Sequence, residues 1–442
     1  MLQMLVIATR NIFAQRMRAF LLGTAIAVVS CILALLLGLS TAFESTLFET
    51  GTALFSGHVN VAGFHKISVS SATPIVSNAN QLIADTREIV GSDAAFIFDR
   101  VTAFGKIISD TTSIQVPLWG VDLKTDLKLR DYLKLTTKPE FKGSGATLDT
   151  AGALGCLMIF ESQAKKLGVT QGDGVTLLVP TMRNQNNTRD LKVCGIFKDV
   201  GSFSSFSAFV NKQDTIEVYQ LDPNTTGFIM VFLNDVSKAN AVENRLRTTL
   251  ANKGHAILEK DPTPFWMKFD KIANQDWVGE KLDISTWEDN LSFVKWVVES
   301  LNGISILLVS VILISIALGI TNALGMAVRE RTGEIGTLRA IGMQRGGILR
   351  LFLLEGFILS VIASTVGIIG ALIVAGIVNH AHIPLPEAFR QVLIMDTLQL
   401  DIRVGAAIFS LIMVTMFSIA GSFFPAWRAS RMQPVTALGH VQ

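Results

Sequence analysis

Charge is what this 442-residue sequence has little of. Asp, Glu, Lys and Arg make up 17 % of it, against roughly 25 % in soluble domains. With apolar residues at 50 %, the deficit points to segments that leave water. The net charge is only +2, so a nucleic-acid partner gains no support. No HExxH, CxxC, GxSxG or Walker-type glycine–lysine–Ser/Thr loop occurs in the chain. Those gaps remove the usual signatures of a metalloprotease, a dithiol centre, a serine hydrolase and a bound nucleotide. His380 and His382 are two ligands with no carboxylate cluster beside them, too few for a metal site. Cysteine occurs three times. Cys31 falls inside an apolar run, while Cys156 and Cys194 fall in a polar one. Either a disulfide or two buried thiols fits them.

Lysine is absent from both ends. All nineteen lie between Lys66 and Lys295. Outside that interval are four windows long and apolar enough to cross a bilayer, which takes about 20 residues. They are 20–43, 298–328, 348–378 and 404–424. The first carries no charge and is too long for a signal-peptide core, so it reads as a retained helix. Arginines flank the windows: Arg10, Arg16 and Arg18 before the first, Arg329 to Arg350 between the second and third, and Arg428 and Arg431 after the fourth. The positive-inside rule then predicts that 1–19, 329–347 and 425–442 are cytoplasmic. The large segment 44–297 and the short loop 379–403 are predicted outside.

The large segment reads as a soluble α/β mixture. Strand-like runs are 58–64, 113–121, 174–180, 191–197 and 227–233, with helix-like runs at 78–90 and 236–252. The polar stretch 181–190 reads as a hairpin tip. The order 227–233, helix, then HAILEK (255–260) reads as a strand–helix–strand unit. At the lower end, Phe43, Leu47, Thr50 and Leu54 continue the first span at heptad-like spacing. Trp287, Leu291, Val294, Val298 and Leu301 lead into the second in the same way. These seams predict a helical stalk, the second helix running from about Ser285 to Ala323. Packing of Trp287 and Leu291 into the domain base is the alternative. Leu47, Phe48, Leu54, Phe55, Leu291, Phe293, Val294 and Val297 are the stalk residues, with an outward substrate cleft at Phe48, Leu54, Phe55, Phe293 and Val297.

Between the second and third spans lies RERTGEIGTLRAIG (329–342), with five charges and three glycines in fourteen residues. A charge at the bilayer centre costs roughly 2.5–3.5 kcal/mol, so this stretch sits outside the hydrocarbon. Ile335, Leu338 and Ile341 recur every three residues, as on one face of a short helix. Arg331 and Glu334 are spaced to pair, and Gly342 reads as a C-terminal stop. Glu330 and Glu334 favour a protein partner over anionic lipid. Glu355, the acid inside a span, is expected to pair with a nearby arginine. Gly367, Ala371 and Ala375 form a small-residue face suited to close helix packing, within the chain or between two chains.

The pattern R-E-R-x-x-E-I-G-x-L-R-A-x-G, the run FLLEG that follows it, and the tail PAWRASRMQPVTAL (425–438) together resemble permease subunits of the MacB, FtsX and Lol class of ABC transporters. AKKLGVTQGDGVTLLVP and VCGIFKDVGSF resemble the external domain of its lipoprotein-releasing members. The resemblance implies four membrane helices and a large periplasmic α+β domain of MacB type on a helical stalk, in a bacterial inner membrane with both ends cytoplasmic. It implies that Glu330, Arg331, Glu334, Ile335, Leu338 and Arg339 form a coupling helix against a separate cytoplasmic ATPase dimer. ATP and Mg would reside on that partner, and none on this non-catalytic chain. A second permease chain, identical or different, is implied as well. So is work done outside the membrane, lipoprotein release with a periplasmic carrier first. Efflux of peptides or small molecules, and signalling to a cell-wall hydrolase, are its rivals within the class.

Overall fold

The structure is a computed structural model that describes residues 9–10, 16–69, 71–141, 147–182, 185–386, 390 and 397–432. It divides into two units. The larger comprises Thr46–Val297 with 386–395; the other comprises Met1–Ser45, Val298–Leu385 and Asp396–Gln442.

In the larger unit, helix α1 (Arg16–Leu54) ends, and strand β1 (Val59–Lys66) begins. Helix α2 (Ala79–Val90) leads to the 15-residue strand β2 (Ala94–Ile108). Much later come β8 (Phe228–Leu233), helix α5 (Ala239–Asn252) and β9 (Gly279–Thr286). These four strands pair antiparallel in the order β2–β8–β1–β9. Val59, Val61, Ile229, Val231 and Ile284 bury one face of the sheet with Leu82 of α2 and Val242, Leu246 and Leu250 of α5. This is the split β-α-β-β-α-β arrangement of ferredoxin-like folds. The stretch HAILEK makes only a bridge, Ile257 to Leu282. The strand that follows α5 is β9, and β1 lies between it and β8.

Everything between β2 and β8 is an insertion: β3 (Ser113–Val121), α3 (Leu127–Tyr132), β4 (Cys156–Phe160), β5 (Gly174–Pro180), β6 (Asn186–Phe197), β7 (Ala208–Asn211) and α4 (Lys212–Tyr219). Its strands and the far half of β2 close on themselves, β2–β3–β7–β4–β6–β5–β2. Closure leaves these strands no open edge. Ile107, Leu118, Leu157, Leu177, Val193 and Val210 fill the interior. β5 and β6 form a hairpin, and 186–190 already belong to β6. β2 serves both parts. Arg100 pairs with Phe228 of β8, and the next residue, Val101, pairs with Gly120 of β3. Cys156 and Cys194 are bridged, with Cα atoms 5.4 Å apart. The β4–β6 register shifts between Leu157 and Met158, and Cys194 is the residue skipped.

The other unit holds most of the apolar helices. Helix α7 (Ser292–Glu330) has 39 residues, about 58 Å at 1.5 Å per residue and twice a hydrocarbon core. It begins at Ser292, not near Ser285, because β9 runs to Thr286 and the short helix α6 (Trp287–Asn290), capped by Thr286 and Asp289, follows. A short helix, α8 (Thr332–Ala340), leads into α9 (Arg345–Ala381), and α10 (Val404–Ser430) completes the bundle. Among the described residues, four helices are long and apolar enough to cross a membrane. Ile26 and Leu33 of α1, Val309, Leu313, Ile316 and Ile320 of α7, Ala363 of α9 and Val414 of α10 share one core. Gly367 meets the backbone of Ala27 in α1, and Gly421 lies against Ala317 of α7. Gly367, Ala371 and Ala375 are buried inside the chain, so this small-residue face is used here and is not free for dimerisation.

Candidate functional site

Two places carry the features singled out in the sequence. The first is the corner α7–α8–α9. Only Arg331 separates α7 from α8, and its backbone (φ −100°, ψ 17°) makes the bend. Val328, Ile335, Ile348, Phe352, Ala426 and Ala429 form an apolar seat under α8. At the far end Gly342 N–H donates to Arg339 O (3.1 Å) and Met343 N–H to Leu338 O (3.0 Å). With Gly342 at φ +102°, this is the Schellman stop. The Arg331 guanidinium donates to Glu334 (3.0 Å) and reaches Glu355 of α9 (3.4 Å). The i,i+3 pair is thus present, and the arginine beside Glu355 is Arg331.

Several expected partner-facing residues turn inward. Arg331 is 8 % exposed and Ile335 2 %, so both hold α8 against its own chain and neither offers a side chain to a partner. Leu338 and Arg339 are half-buried, and Arg339 donates to Met343 O (3.2 Å). The outward surface is Glu330, Glu334, Thr337 and Ala340, with Ile341 at 80 % exposure. Ile341 does not share the Ile335 face. Steps of three residues fall short of a 3.6-residue turn, so the stripe rotates by about 60° per step. The helix also ends one residue before Ile341.

The second place is the domain base, where α1 ends. Leu47 and Leu54 are buried, and Leu291 packs on Gly51. Leu54 is fully enclosed, so it lines no outward cleft. Phe48 stacks on His58 and meets Trp287 edge-on, while Phe55 meets Phe203 and Trp119. Val297 is half-buried, and the side chains of Phe293 and Val294 lie outside the described residues. Leu54 and Leu291 are therefore packing residues, as the domain-base alternative has it for Leu291, while Phe48, Phe55 and Val297 keep part of their surface open.

Arg100, missed in the sequence, is among the largest fully buried side chains of the described residues. Its Nη1 and Nη2 donate to Leu54 O and Ala53 O, both at 2.7 Å, and its Nε to Asp126 (2.7 Å). It therefore caps the last carbonyls of α1. Asp126 also accepts Leu129 N–H and starts α3. Thr50 of α1 and Tyr132 of α3 share a hydroxyl hydrogen bond. A lone arginine within VTAF-type strand residues gives no sign of this in sequence. Nearby, burial, reinforced by the Lys128 ammonium, holds the His58 imidazole down at about 4. Its Nδ1 accepts from Leu233 N–H (3.0 Å). Among the described residues no group of three or more His, Cys, Asp or Glu could hold a metal.

With this geometry in view, residues 306–434 match the family model described as FtsX-like permease C-terminal. MacB of Neisseria gonorrhoeae, a macrolide export ATP-binding/permease protein, is 32 % identical over 154 residues, 34 % of this chain and 22 % of MacB. LolC of Xylella fastidiosa, a lipoprotein-releasing system transmembrane protein, is 23 % identical over 295 residues, 64 % of each chain. The chain thus spans about a fifth of the length of MacB. The periplasmic region of MacB from Actinobacillus actinomycetemcomitans aligns with 53 % of this chain and 92 % of that one, at 15 % identity and a TM-score of 0.31. Residues 306–434 thus form an FtsX-like permease C-terminal domain, and the chain is similar to MacB and LolC.

Proposed function

We propose that the chain is the membrane subunit of an ABC transporter, driven by a separate cytoplasmic ATPase that docks on α8. The observation that carries this reading is the corner itself. A helix of nine residues is fixed to the long helices by an apolar seat and by the Arg331–Glu355 pair. The corner presents Glu330, Glu334 and Ile341 outward. Such a handle is rigid on one side and open on the other. The arginine-rich flanks support an orientation with both ends and α8 in the cytoplasm of a bacterial inner membrane. The lysine-bearing domain then lies in the periplasm.

Motion imposed on α8 passes into α7 because only one residue separates them. The work is done outside, and no residue of a pore is required. The exposed face of α7, with Ile306, Leu307, Val311, Ile314 and Leu318, suits lipid or a second permease chain. The LolC alignment extends over 64 % of both chains, against 22 % of MacB. That breadth favours release of acylated proteins from the inner membrane over efflux of peptides or small molecules. The test is reconstitution in proteoliposomes with the ATPase that co-purifies. ATP should release a lipoprotein only when this chain is present. ATP hydrolysis by this chain alone, or export without any ATPase, contradicts the reading.

A further inference from the structure

The end of α1 is held in an unusual way for a helix C-terminus. The last carbonyls of a helix lack intrahelical partners, and here a guanidinium from β2 takes two of them at once. Arg100 has no exposed surface. Its third bond goes to Asp126, whose other oxygen starts α3. Arg100 also sits at the one step of β2 where pairing passes from β8 to β3. The four-stranded sheet lies on one side of that step and the closed ring of strands on the other. Phe98 and Trp119 pack against the same guanidinium, with ring centroids 5.5 and 6.0 Å away. The Thr50–Tyr132 hydroxyl contact ties α1 to α3 one turn earlier.

We infer that Arg100 is a positioning residue for force transmission. It locks the outer end of α1 to the junction of the two sheet systems, so that movement arriving along α1 reaches both as one body. The inference rests on the proposed transport function. A planar guanidinium suits this place because its fork meets two adjacent carbonyls and a carboxylate in fixed directions. A lysine keeps the charge but cannot hold all three acceptors in that geometry.

The test uses the full chain with its ATPase in nanodiscs. Spin labels go on Glu49→Cys of α1 and Lys106→Cys of β2, both exposed, in a Cys31→Ser background. In the otherwise unchanged chain the distance distribution should stay single and narrow with and without ATP. In Arg100→Lys it should at least double in width when ATP is added. Lipoprotein release should fall at least tenfold while ATP hydrolysis stays within twofold. Asp126→Asn, which leaves both carbonyl bonds available, should keep the narrow distribution.

Three results overturn the assignment. One is a narrow distribution and full release in Arg100→Lys. Another is equal broadening in Asp126→Asn, which would make charge burial the cause. The third is ATP-dependent broadening in the unsubstituted chain, a result that needs no variant to fold. Failure of the transport reading is separate and is seen in the release assay alone, as absence of ATP-dependent release by the unsubstituted chain.

Discussion

At the scale of single residues, two buried polar groups set measurable costs. Arg331 ties α8 to Glu355 of α9. Removing one member of an enclosed ion pair typically costs about 3 kcal/mol, whereas replacing both by apolar groups is often near neutral. Arg331→Met should lower the thermal stability of the detergent-purified chain accordingly, and Arg331→Met/Glu355→Leu should recover most of it. If the double variant is no more stable than the single one, the pair is not what holds the corner. His58 gives a pH dependence. Its folded value of about 4 lies below the ordinary 6.5, so the unfolded chain binds the extra proton. Stability is then complete above pH 6.5 and falls as pH drops from 6.5 to 4, by roughly 2–3 kcal/mol. Melting curves across that range should show the loss, and His58→Gln should flatten it.

At the scale of elements, α8 is where sequence and structure agree and part. The Arg331–Glu334 pairing, the Gly342 stop and the short helix were legible, because each depends on local spacing alone. Which side faces inward was not, because that is set by Val328, Ile348, Phe352 and Ala426 from three other helices. Glu334 stays outward at the handle, so Glu334→Lys should uncouple ATP hydrolysis from release while leaving insertion intact. Unchanged release in that variant, with ATPase binding as in the parent, removes Glu334 from the handle. Gly342 holds φ +102°, which a β-branched residue adopts at a cost of about 1–3 kcal/mol. Gly342→Val should therefore weaken the corner, while Gly325→Ala, in open space on α7, should not. Gly367→Ala sets a methyl against the Ala27 carbonyl, and crowding of this kind typically costs about 1–3 kcal/mol. Melting shifts at Gly342 and Gly367 without one at Gly325 check both statements.

At the scale of the whole molecule, the four apolar helices were plain from hydropathy, and so were the strands with strong β-branched content. The inserted ring was not. It needs β2, β4 and β7, and β2 passes between two sheets in a way no periodicity reports. The strand–helix–strand reading failed for the same reason. β8 and β9 are neighbours through the chain but not in the sheet, with β1 placed between them by long-range pairing. The cleft residues show a third limit. Leu54 looks like part of a gripping surface in one dimension and is interior in three. The disulfide joins adjacent strands of the ring across 38 residues. Closing such a loop commonly contributes about 2–4 kcal/mol. Reduction should lower the melting temperature of the full chain, and Cys31→Ser should leave that shift unchanged.

The central claim is that α8 is a cytoplasmic handle. The direct measurement is labelling of Ile341→Cys, in a Cys31→Ser background, by a membrane-impermeant maleimide. Inside-out vesicles should label, and less so once the ATPase is bound, while right-side-out spheroplasts should not. Labelling from the periplasmic side would contradict the account.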